Sequence, residues 1–263
     1  MKKIALITLM ILLNFSCNQN KKEEESGVIT TSKESRIEYP EKIAKIFDAH
    51  GGLKHWKSKK TLRYELVKKG ENEKQTIDLV SRNDLIETSN YKIGFDGVRS
   101  WILQDSTFFG GNPRFYHNLM FYFYAMPFVL ADDGIIYEPV EPLEYGGIRY
   151  PGFKISYENS IGDSPDDNYF IYYDAVSHKM QWLGYTVTFG KGATNSDIHF
   201  IRYNDWKTIN GLLLPKSLTW HNNEGTIIKE AVTTRSFENI EIREERVSMD
   251  IFKKPEKGIY PVQ

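Results

Sequence analysis

The chain has 263 residues, of which 40% are hydrophobic and 14% aromatic, so it can form one large packed domain. The formal net charge of −1 provides no overall attraction to nucleic acid, and we expect no nucleic-acid partner. The single cysteine, Cys17, excludes an internal disulfide and a cysteine-based metal cluster.

The N-terminus has the layout of an exported lipoprotein signal. Lys2 and Lys3 precede an apolar run over residues 4–13, and Ser16 places a small residue before Cys17. The run is too short for a helix that crosses a membrane, which needs about 20 residues. We therefore predict a signal peptide and lipidation site over residues 1–17, with a membrane partner reached through the lipid on Cys17. Plain secretion is the alternative.

Residues 18–36 are polar and lack apolar periodicity, which predicts a flexible tether. Within it, residues 21–25 (Lys-Lys-Glu-Glu-Glu) are typical of a solvated charge run. They also resemble the export tag of surface lipoproteins in some Gram-negative bacteria. No Asp follows Cys17, so the inner-membrane retention signal of enteric bacteria is absent. These features predict a lipid-anchored protein of the outer membrane, on its periplasmic or cell-surface side.

The remaining residues, 37–263, are expected to form a single β-rich domain. A helix is predicted over residues 40–50, because Pro40 suits a first helical turn and two glycines follow His50. A short turn is expected over residues 53–57. Beyond it, apolar and polar residues alternate with period two, as in antiparallel strands with one buried face. The predicted strands cover residues 62–66, 77–79, 85–90, 99–104, 153–158, 169–173, 183–189, 198–206, 212–220 and 226–235.

Many short strands with few helices predict a mainly β (α+β) fold. We expect a curved antiparallel sheet or half-open β-barrel, with one or two helices on its concave side. Turns are predicted at Lys69-Gly70, Asn210-Gly211 and Glu224-Gly225.

One segment breaks the strand pattern. Asn112 and Pro113 can begin a helix and Pro127 can end it, so a helix is predicted over residues 113–126. Its apolar residues cover almost every side, which requires burial in the concave face of the sheet. The helix is either a plain core plug or the wall of an apolar cavity. For the second case the predicted ligand-binding residues are Trp101, Phe115, Leu119, Met120, Tyr122, Phe123, Met126, Tyr185 and Leu214.

Several motifs carry a family resemblance. Ala49-His50-Gly51-Gly52 with Trp56, the aromatic block 115–130, Trp182-Leu183-Gly184-Tyr185, and residues 210–215 (Asn-Gly-Leu-Leu-Leu-Pro) resemble a family of uncharacterised exported lipoproteins of Gram-negative bacteria. More distantly, the strand order and the Gly-Leu-Leu-Leu-Pro strand resemble the lipoprotein-sorting (Lol-type) carrier superfamily. That resemblance implies a half-open barrel, lidded by helices, that holds acyl chains.

Catalytic and metal chemistry have weak support in the sequence. The six histidines are His50, His55, His117, His178, His199 and His221, and none lies in a recognised ligand spacing. Three carboxylates around Pro165 could bind calcium, although acidic loops are usually solvated turns. We expect no metal and no cofactor.

The function predicted from the sequence is a non-enzymatic envelope lipoprotein that binds or carries an apolar ligand, such as a lipid or acyl chain. One alternative is a hydrolase with a histidine and carboxylate site near His117 and Asp166. Another is a scaffold lipoprotein of a surface complex, in which the protein's own side chains fill the cavity.

Overall fold

A single sheet of twelve antiparallel strands organises the molecule. The computed structural model describes residues 39–132, 134–157, 167–188 and 197–261, and Tyr39–Gln263 is one compact unit. The predicted signal peptide, Cys17 and the tether lie outside these residues.

The strands are β1 (Thr61–Leu66), β2 (Glu73–Asp78), β3 (Asp84–Glu87), β4 (Tyr91–Phe95), β5 (Ser100–Gln104), β6 (Ile135–Tyr145), β7 (Ile148–Tyr157), β8 (Tyr169–Tyr173), β9 (Met180–Tyr185), β10 (His199–Ile209), β11 (Leu212–Glu224) and β12 (Ile227–Arg243). The helices are α1 (Glu41–Ala49), α2 (Leu53–Ser58), α3 (Pro113–Tyr116) and α4 (Leu119–Tyr124), with 3₁₀ helices at Phe128–Ala131 and Met249–Phe252.

The sheet order explains where the chain must cross the sheet. The order is β5-β4-β3-β2-β1-β12-β11-β10-β9-β8-β7-β6, so the first and last strands pair at the centre and the sheet stays open. β5 and β6 follow each other in the chain but lie at opposite edges. The connection between them therefore has to pass over one face of the sheet. We call residues 112–131 the crossing segment.

The sheet curves around this segment. Buried residues of β2 and β7 belong to the same hydrophobic cluster as α1, α4 and the Phe128–Ala131 helix. β2 and β7 are seven strand positions apart, which in a flat sheet would be about 34 Å at roughly 4.8 Å per strand. The end of the crossing segment nevertheless reaches both sides, because Leu130 accepts from Tyr137 of β6 and Asp132 accepts from Arg82, which follows β2. The sheet must therefore bend over this segment, so the cluster lies on the concave face. The predicted fold class is confirmed.

The elements mostly follow the sequence patterns. The predicted first helix forms as α1, with Ile43, Ile46 and Phe47 buried on one face. The expected turn over residues 53–57 is wrong, because these residues belong to α2. The strands β4 and β6 were not predicted. All three predicted turns are present, and each contains a glycine at positive φ.

Two sequence motifs of the family resemblance meet in space. The amide N–H of Leu213 donates to the carbonyl of His50 at 2.9 Å, which brings the β10–β11 turn against the end of α1. A Cβ atom on Gly51 would lie 2.3 Å from the carbonyl oxygen of Gly211. Only a glycine fits between these backbones, which gives this part of the motif a structural reason.

Candidate ligand-binding site

The crossing segment begins with a capped turn and then breaks. Asn112 accepts a hydrogen bond from the amide of Arg114 at 2.9 Å, which caps α3. Asn118 has a φ of +58° and interrupts the helix before α4. The prediction of one helix over residues 113–126 is therefore wrong. Asparagine tolerates the left-handed conformation, so it supplies the break at low cost.

A buried carboxylate on β3 holds this break. Asp84 is 2% exposed; one of its oxygens lies 3.2 Å from Nδ1 of His117, and the other accepts from the amide of Asn118 at 3.2 Å. The Asn118 side chain also donates to the carbonyl of Arg82 at 3.0 Å. His117 stacks on Phe95 with ring centroids 4.6 Å apart. His117 is thus a buried structural partner of the sheet.

A second buried carboxylate holds α3. Glu73 on β2 has no exposed surface and accepts from the hydroxyl of Tyr116 at 2.7 Å and from the hydroxyl of Tyr91. Lys68 donates to Glu73 at 2.5 Å and to the hydroxyl of Tyr116 at 2.7 Å. Burial, together with Glu73, raises the pKa of both tyrosines, so both stay protonated and donate. The start of the crossing segment is therefore fixed by charge-assisted hydrogen bonds.

The far end of the segment is fixed by aromatic packing and by hydroxyl groups. Phe128 stacks on Trp56 of α2, with ring centroids 4.7 Å apart and planes at 4°. Tyr39 donates to the carbonyl of Ala131 at 3.0 Å. In the middle of the segment, Tyr203 donates to the carbonyl of Phe123 at 2.6 Å, and the other contacts there are mainly apolar packing.

A cleft of about 490 Å³ opens beside this far end. Its residues come from α2 and the chain after it, from the β2–β3 turn and from the end of the crossing segment. They are Trp56, Lys57, Lys59, Lys60, Leu79, Val80, Arg82, Phe128, Ala131 and Asp132. The volume falls in the range of small-molecule sites, roughly 300–1,000 Å³.

The cleft has an apolar floor and a basic rim. Trp56, Phe128 and Ala131 are buried members of the main core cluster, and Leu79 packs against it. Lys57 is exposed and Lys60 is half-buried. The surface that the cleft exposes is therefore largely polar, and its apolar part is small because most of the floor is buried.

The structure brings most of the predicted ligand-binding residues to one place. Met120, Phe123, Met126 and Leu214 are buried in the main core cluster, and Leu119 and Tyr185 pack against it. Phe115 and Tyr122 belong to the same segment but are each 37% exposed.

Trp101 does not lie with the other predicted ligand-binding residues. It is buried beside Leu85 and Phe252, and its indole N–H donates to the carbonyl of Phe252 at 2.8 Å. Its neighbour Ile102 packs in the cluster that contains Tyr116 of the crossing segment. Since successive residues of a strand point to opposite faces, Trp101 points away from that segment.

The sequence reasoning missed the cleft. Trp56 and the aromatic block that contains Phe128 entered only as family motifs, and Lys57, Lys60 and Arg82 were not predicted to take part in a site. The one available signal was the run of basic residues directly after Trp56.

The histidines show no metal site in the described residues. There, no group of three or more His, Cys, Asp or Glu side chains is placed to hold a metal ion. Burial lowers the pKa of His50 to about 4, and its Nδ1 lies 2.8 Å from the carbonyl of Ile46. Asp163 and Asp166, which the calcium and hydrolase hypotheses need, lie outside the described residues.

Of the helices that the structure describes, none has both the length and the apolar character needed to cross a membrane.

Comparisons with known proteins give similarity only at the level of the fold. No protein-family model matches the chain, and no curated protein matches it. The chain is similar to a LolA superfamily protein from Nitrosomonas europaea, with 8% identity, 74% of this chain and 88% of that chain covered, and a TM-score of 0.44. It is also similar to a DUF1329 family protein from Desulfovibrio piger, with 9% identity, 79% and 95% covered, and a TM-score of 0.46. These similarities concern the fold alone and do not say what the chain binds.

Proposed function

We propose that the protein is a non-enzymatic envelope lipoprotein that binds or carries an apolar ligand, such as a lipid or acyl chain. The ligand enters at the cleft and lies along the concave face of the sheet, beside the crossing segment. Lipid on Cys17 tethers the domain to the outer membrane.

The observation that carries this proposal is the continuity between the cleft and the core. Trp56 and Phe128, on the cleft floor, belong to the same buried cluster as Met120 and Met126 in the middle of the crossing segment. An apolar chain that enters the cleft and displaces these side chains would therefore still be surrounded by apolar groups. Methionine side chains adapt their shape readily, so this is the part of the layer that can rearrange around a ligand.

The burial and the contacts of His117 favour a binding role over hydrolysis. His117 has 6% of its side chain exposed, and Asp84 and the ring of Phe95 engage both its polar edge and its face. A general base needs access to its substrate. His117 instead serves to hold the crossing segment against the sheet.

The proposal is tested by native mass spectrometry with lipid extraction. The chain from residue 37 onward contains the whole compact unit with its own core, so we expect it to fold alone. It should be purified from a bacterial host without detergent, and the masses that remain bound should be identified. We expect an amphiphile of defined mass, which can be removed and reloaded.

A pair of variants ties the ligand to the cleft. Leu79→Gln places an amide on the apolar floor, which costs roughly 1–3 kcal/mol against an apolar chain and should weaken binding about tenfold. Val98→Gln, at a loop position that is 81% exposed, is the control and should bind normally. A protein that never carries or reloads an amphiphile would contradict the proposal and favour the scaffold alternative.

A further inference from the structure

The rim of the cleft has an excess of positive charge that the apolar floor does not explain. We propose that the cleft selects amphiphiles with an anionic head group, a phosphate or a carboxylate. Lys57 and Lys60 hold the head group at the mouth, while the apolar chain lies on Leu79 and Val80, which line the cleft and are accessible. This inference rests on the proposed function and adds the chemical class of the ligand.

The charges at the rim do not cancel. Four cationic side chains line the cleft with a single acidic one, Asp132. Lys59 does not add to the excess of positive charge, because its ammonium group is paired with Glu244 at 2.7 Å. Neither Lys57 nor Lys60 has an acidic partner within 4.0 Å among residues 39–132, 134–157, 167–188 and 197–261. Two positive charges therefore remain for a ligand.

Arg82 fixes the inner side of the rim. Its Nη2 donates to both oxygens of Asp132, at 2.9 and 3.0 Å, and its guanidinium group lies 5.1 Å from the centroid of the Phe121 ring. Its Nη1 is buried without a hydrogen-bond partner in the described part of the chain. The guanidinium group thus keeps unused donor capacity at the junction of the cleft and the crossing segment.

The position of the charges selects the kind of ligand. The rim carries them at the mouth, where Lys57 is exposed, whereas the floor residues Phe128 and Ala131 are 1% and 3% exposed. An anion alone would make no contact with the accessible side chains of Leu79 and Val80, and a neutral lipid would not pair with the two ammonium groups. An anionic amphiphile makes both kinds of contact. Such contacts weaken as ionic strength rises, because salt screens exposed charges over about 10 Å at 0.1 M.

The test compares ligands with one chain and different head groups. Isothermal titration calorimetry on the chain from residue 37, freed of bound lipid, should use decyl phosphate, decanoate, decyl maltoside, decyltrimethylammonium and inorganic phosphate below micelle-forming concentrations. We expect both anionic amphiphiles to bind at least tenfold more tightly than the trimethylammonium compound. Inorganic phosphate should bind far more weakly than decyl phosphate, because it gains nothing from the floor.

A matched pair of double variants locates the charge effect. Lys57→Ala with Lys60→Ala should weaken the binding of decyl phosphate about tenfold and change the binding of decyl maltoside by less than twofold. Lys69→Ala with Lys74→Ala makes the same charge change at the far end of the β1–β2 hairpin, about 20 Å away at roughly 3.3 Å per strand residue, and should change neither.

Each outcome decides between the two proposals. Equal binding of anionic, neutral and cationic amphiphiles would overturn the inference and leave the proposed function intact. Binding of inorganic phosphate as tight as that of decyl phosphate would overturn the assignment of an amphiphile. If no decyl compound binds, the proposed function itself fails. Equal losses in both double variants would show a general charge effect and would also overturn the inference.

Discussion

The most direct test of the packing of the crossing segment is Phe123→Asp. Phe123 is 6% exposed, and its ring contacts those of Tyr185 and Trp220 at centroid distances of 5.0 and 5.9 Å. The substitution removes these contacts and places a carboxylate between the segment and the concave face.

The expected loss of stability is large. Removing a buried phenylalanine side chain costs about 3–5 kcal/mol. A buried carboxylate without a partner adds several kcal/mol, part of which it avoids by taking up a proton. Domains unfold with a free energy of about 5–15 kcal/mol in total. Phe123→Asp should therefore remove most of the stability near neutral pH, and the loss should shrink at pH 5, where the carboxyl group is more easily protonated.

The assay is urea denaturation followed by circular dichroism, with Tyr122→Asp as the matched control. Tyr122 lies in α4 directly before Phe123 and is 37% exposed, so the carboxylate introduced there can reach water. We expect the control to cost about 1 kcal/mol. Equal midpoints for the two variants would refute the reasoning, because the segment would then not be packed against the sheet through Phe123.

Further predictions follow from other parts of the chain. Gly51→Ala should destabilise by several kcal/mol in thermal melts, because its Cβ would lie 2.3 Å from a backbone oxygen. Gly52→Ala meets no atom, but at φ +88° and ψ 138° it should still cost about 1–3 kcal/mol in backbone strain. Cys17→Ala should move the protein from the detergent phase to the aqueous phase, and unchanged partitioning would count against lipidation. Leu119→Trp should abolish lipid binding with stability retained if the cavity opens, or cost about 1–3 kcal/mol with no lipid ever bound if the core is filled. His50 has a folded pKa of about 4 against 6.5 unfolded, so the unfolded chain takes up the proton first and stability decreases as the pH is lowered. Between pH 6.5 and 5 the wild type should lose about 1.5 kcal/mol more than His50→Gln.

The sheet could be predicted because most strands bury one face. Leu62, Tyr64 and Leu66 alternate with more exposed neighbours on β1, which is the pattern that the sequence reasoning used. The strand β6 was not predicted, because Pro139 and Pro142 in its sequence argue against a strand. Both prolines are tolerated since β6 is an edge strand, where one side of the backbone has no ladder partner.

The break in the crossing segment could not be predicted from composition. Its apolar residues correctly indicated burial, but the continuous pattern across Asn118 favoured one helix. What stabilises the left-handed residue is Asp84, which is 34 positions away in sequence. A contact of this kind depends on the fold and leaves no periodic signal in the segment itself.

The cleft depends on the fold in the same way. Lys57 and Lys60 lie before β1, whereas Leu79 and Arg82 follow β2, and the hairpin brings the two groups together. Their spacing of about twenty residues is set by strand length, so no short motif could show it. Trp101 was assigned to the concave face because the sequence alone does not say which set of alternating β5 residues faces inward.

The way in which the crossing segment is held indicates which part of it can move for a ligand. Residues 116–118 are bonded to buried carboxylates on β2 and β3, and breaking these contacts would leave charges buried without partners. Residues 128–131 are held by stacking on Trp56 and by hydroxyl donors. Between them, Met120 and Met126 face the core through apolar contacts, which a ligand chain can replace with contacts of the same kind, while Tyr203 holds the carbonyl of Phe123. A ligand that enters at the cleft would thus displace the methionine side chains while both ends of the segment stay in place, at the cost of repacking a close-packed layer.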